Sequence, residues 1–144
     1  MENFAQSLKM AETLLTKTLD NSISKLFHNL TSNQVVILFY LHDHITSVTR
    51  QVDLENNLNI SHSTIRGTIK RLIKTGLIET KPMPRDKRQV QVILSQDGLN
   101  MLNDNKQEFE DIMNDTLKKA VKGLGVEDIQ SFQRINHQII KNLK

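Results

Sequence analysis

The sequence predicts a mainly α fold with one small β-hairpin, and three observations predict it. Apolar residues recur at steps of three and four over most of the 144 residues, the period of amphipathic helices. One interior stretch, LIETKPMPRDKRQVQVIL (77–94), instead sets two strand-like segments on either side of a tip holding both prolines of the chain. Just before it, a short helix, a turn and a second helix can be read from cap residues and apolar spacing.

Each element follows in order. Residues 4–30 place Phe4, Leu8, Ala11, Leu15, Leu19, Ile23, Leu26 and Leu30 on one stripe, predicting a long amphipathic helix. Thr31-Ser32-Asn33 supplies an N-cap for a second helix. This helix carries VVILFYL (35–41), apolar on nearly every side, and is expected at the centre of the core. Ser47-Val48-Thr49 predicts a short β bridge, and Gln51–Leu58 a two-turn helix. Asn59 suits a left-handed turn and Ser61 an N-cap. The next helix runs to Gly76, a natural residue just past a helix end. Segments 77–82 and 89–94 read as strands, the second with period-two alternation. Ser95 caps a long helix to about Val121, Gly123 and Gly125 break it, and a last helix covers 126–144. A helix-turn-helix followed by a hairpin is a winged helix, here flanked by long helices. The expected units are 1–30, 31–95 and 96–144.

Composition removes several functions. With no cysteine, disulfides, thiolate zinc sites and cysteine chemistry are excluded. The amino terminus lacks a basic segment leading into an apolar one, so no secretory signal is expected. VVILFYL is far shorter than the roughly 20 residues that cross a membrane. A soluble, cytoplasmic protein with no membrane partner is expected. His42 and His44 lie about 200° apart on one helix, and His28, His62 and His137 are isolated, so no metal is expected. No phosphate loop, nucleophile elbow or carboxylate pair stands out, so neither catalysis nor a cofactor is expected.

The charge distribution is more telling than the net charge of +3. Residues 61–90 hold eight Lys/Arg and two acids, a net of +6, leaving a net of −3 over the other 114. A localised basic surface of this kind suits a polyanion, and nucleic acid is the usual one. With Ile65 at zero on the helix after the turn and about 100° per residue, Ile65, Ile69, Leu72 and Ile73 span the core face. Ser63, Gly67, Lys70, Arg71 and Lys74 lie opposite, with Arg66 at the edge. With His62 and Thr64 in the first turn, these are the candidate contacts to double-stranded DNA, since Arg or Lys reads guanine and Ser or Thr bonds base or phosphate. Gly67 costs about 1 kcal/mol against alanine. Either it lets the backbone approach the bases or it packs against the preceding helix. Arg85, Lys87 and Arg88 at the proline-stiffened tip suit a narrow minor groove. Asp86 is expected to orient Arg88 or a helix arginine through an ion pair. The competing reading is a winged-helix module that docks an acidic protein through the same surface.

These residues also carry a resemblance. The turn and helix start Leu58, Ile60, Ser61, Ser63, Thr64, the helix exit Leu72, Gly76, Leu77, Ile78, the tip pair Asp86 and Arg88, and Leu94, Ser95, Gly98 beyond it resemble the MarR family of bacterial winged-helix transcriptional regulators. The resemblance implies a homodimer built from the terminal helices, with two recognition helices in successive major grooves of a pseudo-palindrome. It implies Arg88 in the minor groove, a repressor, and a small aromatic or anionic effector bound between the dimer helices and the winged-helix lobe. Glu55, Asn59 and Gly67 depart from the family pattern, which usually has a small residue, a glycine and an arginine there. Independently, apolar stripes on both terminal helices have no third layer within the chain to cover them, and a second copy is the simplest cover.

Overall fold

A computed structural model describes residues 3–144. Six helices and one hairpin follow in the order α1 (Phe4–Leu26), α2 (Ser32–Asp43), α3 (Gln51–Leu58), α4 (His62–Lys74), β1 (Ile78–Pro82), β2 (Val90–Leu94), α5 (Gln96–Ala120) and α6 (Val126–Leu143). This is a winged helix between long helices. α1 stops four residues before the expected end. Beyond Leu26 the chain turns at Phe27, whose ring packs inward with Ile23 and Val35 and tilts against Phe109 of α5.

The winged-helix core is built around α2. Ile37, Leu38 and Leu41 pack with Leu54 of α3, Ile65, Ile69 and Leu72 of α4, Ile78 and Val92 of the hairpin, and Leu102 of α5. Burial of this order contributes roughly 1.5–3 kcal/mol per large apolar side chain. On α4 the buried arc is rotated from the expected one. Ile73 is 43% exposed, whereas Thr68 is 2% exposed. Thr68 is buried at little polar cost because its hydroxyl donates to the Thr64 carbonyl at 2.7 Å. Ile73, at the opposite edge of the arc, is left in solvent.

Local signals place the turns. Asn59 adopts φ 51°, ψ 42° between α3 and α4, and the Ser61 hydroxyl accepts from the Thr64 N–H. Gly76 (φ 76°) closes α4. β1 and β2 pair antiparallel with Ile78 opposite Leu94 and Pro82 opposite Val90. The isolated bridge falls at Arg50, paired with Gln91, one residue later than the expected 47–49. The second strand thereby joins the segment that leads into α3. Ser95 caps α5 by accepting from the Gly98 N–H at 3.0 Å, while its own hydroxyl donates to the Gly76 carbonyl at 2.6 Å. No described helix is long and apolar enough to cross a membrane.

Candidate nucleic-acid interface

The two expected halves of the basic surface lie on elements that share one core. α4 is anchored through Ile65, Ile69 and Leu72, and the hairpin through Ile78 and Val92. On the outer side of α4, His62, Ser63, Thr64, Arg66, Lys70, Arg71 and Lys74 are exposed and Gly67 is half-buried. Among the described residues, no carboxylate forms an ion pair with Arg66, Lys70, Arg71, Lys74, Arg85 or Lys87. Their charges are therefore available to an external anion.

Gly67 has no packing partner on the preceding helix. A Cβ built there would meet only the Arg71 guanidinium, at 3.7 Å. The packing alternative raised by the sequence is overturned, because the helix faces open space at that point.

At the hairpin tip, Met83 N–H donates to the Gln89 carbonyl at 2.9 Å and Gln89 N–H to the Asp86 carbonyl at 3.0 Å, closing a tight loop. The Asp86 carboxylate accepts from the Arg88 backbone N–H at 3.1 Å and from its Nε at 3.4 Å. Arg88 is the partner of Asp86; no helix arginine is. The Arg88 side chain is nevertheless 94% exposed, so its Nη donors point into solvent.

Two groups not singled out as contacts by the sequence complete this surface. Glu55 of α3 hydrogen-bonds Nδ1 of His62, which places this carboxylate at the start of α4. Arg50 precedes α3 and is held by Asp53, with Nη2 to Oδ1 at 2.9 Å and Nε to Oδ2 at 3.1 Å. Its Nη1 donates to the Gln89 side chain at 3.2 Å. The Arg50 guanidinium, chiefly through its hydrogen bond, holds the Asp53 carboxyl below its usual range. Arg50, Arg66 and Arg88 together line a cleft of about 400 Å³ between α3, α4 and the hairpin. Two other histidines have ordinary partners: His42 Nε2 bonds Asn103 at 3.1 Å and His44 Nδ1 the Tyr40 carbonyl at 2.8 Å. Among the described residues no group of metal-binding side chains comes together.

A helix-turn-helix with a basic outer face and an arginine-tipped hairpin defines a winged-helix protein with a surface suited to a polyanion. Residues 28–89 match the model of the MarR family. No curated protein matches the sequence. Similar solved structures include Sco3205 from Streptomyces coelicolor, a MarR family transcriptional regulator in complex with DNA. It has 24% identity and a TM-score of 0.83, over 96% of this chain and 84% of that one. The S. aureus MepR–DNA complex is similar over 99% and 97% of the two chains, with 17% identity and a TM-score of 0.81. Bordetella bronchiseptica BpsR, whose DNA binding is regulated by 6-hydroxynicotinic acid, is similar over 96% and 93%, with 22% identity and a TM-score of 0.80. At these identities the likeness is one of fold.

Proposed function

We propose that the protein is a homodimeric, sequence-specific DNA-binding transcriptional regulator, acting as a repressor whose operator affinity responds to a small ligand. The observation that carries this reading is the unpaired basic face of α4 set beside the Asp86-oriented Arg88, on two elements fixed by one core. In the proposed complex α4 lies in the major groove and the hairpin tip in the adjacent minor groove. Arg66, Lys70, Arg71 and Lys74 supply base and phosphate contacts, Ser63 and Thr64 hydrogen bonds, and Arg85 and Lys87 further charge at the tip. His62 completes the first turn. The DNA complexes of Sco3205 and MepR support duplex DNA as the partner class.

Dimerisation is supported by the apolar surface of the terminal helices. No residue of α6 is buried, and Phe132, Ile135, Ile140 and Leu143 are exposed, as are Phe4, Met10 and Leu14 of α1. A second copy would cover them, making 1–30 and 96–144 the dimerisation segments and 31–95 the DNA-binding unit. The ligand class is suggested by BpsR: a small aromatic acid binding one spacing of the two lobes would shift the population of the DNA-competent state.

The test is Arg88→Ala in a duplex-binding titration at several salt concentrations. The slope of log K against log salt should fall by about 0.9 for each phosphate interaction removed. An unchanged affinity and slope would contradict the role of the hairpin tip.

A further inference from the structure

We propose that Arg50 is a phosphate-binding residue, seated on the sugar–phosphate strand that runs between the grooves entered by α4 and by the hairpin. This rests on the DNA-binding reading above and adds a contact from an element outside both halves of the basic surface. When a helix fills the major groove and a hairpin tip the next minor groove, the backbone strand dividing the two grooves must pass through the space between them. Here that space is the cleft lined by Arg50, Arg66 and Arg88.

Arg50 is built for an anion there. A guanidinium has five N–H donors in a fixed plane. Three are spent, on Asp53 Oδ1, Asp53 Oδ2 and Gln89 Oε1. One N–H on each of Nη1 and Nη2 remains, and its side chain is 38% exposed. These restraints fix the side chain before any ligand arrives, so little rotamer freedom is lost on binding. The backbone is fixed too, since Arg50 N–H donates to Asp53 at 2.8 Å and Arg50 bridges Gln91. Both acids at the cleft have side-chain partners, Asp53 in Arg50 and Glu55 in His62. The cleft therefore presents Arg66, Arg88 and the free edge of Arg50 to an incoming phosphate.

The experiment is a double-substitution cycle on a bound duplex. The wild-type chain and Arg50→Met are titrated against duplexes in which single backbone phosphates, in turn, are replaced by neutral methylphosphonates. Wild type should lose affinity about tenfold or more at one phosphate between the major- and minor-groove contacts, the size of one charge-assisted hydrogen bond. Arg50→Met should lose nothing further at that position while keeping its sensitivity elsewhere. Arg50→Lys, which keeps the charge without the fork, should retain the salt slope with a smaller loss, and it serves if Arg50→Met does not fold. If the variants stay as sensitive as wild type at every phosphate, Arg50 is a structural joint only and the inference is overturned. If wild type binds no duplex at all, the DNA-binding reading fails, and this inference with it.

Discussion

Gly67 is the residue at which stability and function make opposite demands. A glycine inside a helix costs about 1 kcal/mol against alanine, and nothing but a flexible arginine tip would meet an added methyl. Gly67→Ala should therefore raise unfolding stability by about 0.5–1 kcal/mol. In the proposed complex the same methyl would hold the helix off the base edges, weakening duplex binding by about tenfold or more, the scale of one lost base contact. Thermal unfolding and a binding titration of this one variant check both halves. Asp53 makes a different demand. Its carboxyl lies below the usual range because Arg50 bonds the charged form. A depressed pKa contributes stability above the unfolded-state value, about 3.9, and loses it as pH falls through that value toward the folded one. Asp53→Asn should be less stable than wild type near neutral pH, with the gap closing below about pH 4. A gap that persists at low pH would remove the ion pair as its cause.

At the scale of elements, the joint between hairpin and α5 is as constrained as the turn before α4. Ser95 N–H donates to the Leu77 carbonyl at 3.0 Å, and a Cβ on Gly98 would overlap that same carbonyl oxygen. Gly98→Ala should cost about 1–3 kcal/mol, since backbone there cannot give way cheaply; denaturant unfolding measures it. Both joints were legible in the sequence because their signals are local: Asn59 and Ser61 at the turn, Ser95 at the cap, Asp86 two residues before Arg88. What stayed hidden depends on tertiary packing. Arg50 and Gln89 lie 39 residues apart, and only the bridge from Arg50 to Gln91 brings them together. The pairing of Glu55 with His62 spans two helices in the same way. The periodicity of α4 marked its apolar face but set it a few tens of degrees off, because a threonine that bonds its own helix can be buried where an isoleucine is not.

At the scale of the molecule, two kinds of surface are left without a partner among the described residues. One is apolar, running along α1 and α6; the other is cationic, formed by α4 and the hairpin. The cationic surface is anchored to the winged-helix core, and a second copy covering the apolar one would present two of the cationic one. The most direct measurement of this account is selection of bound fragments from random duplex DNA by the wild-type chain. The account predicts enrichment of a pseudo-palindrome with half-sites about one helical turn, or 10–10.5 base pairs, apart, with affinity that falls steeply as salt rises. Fragments that show no shared sequence, or retention indifferent to salt, would contradict it.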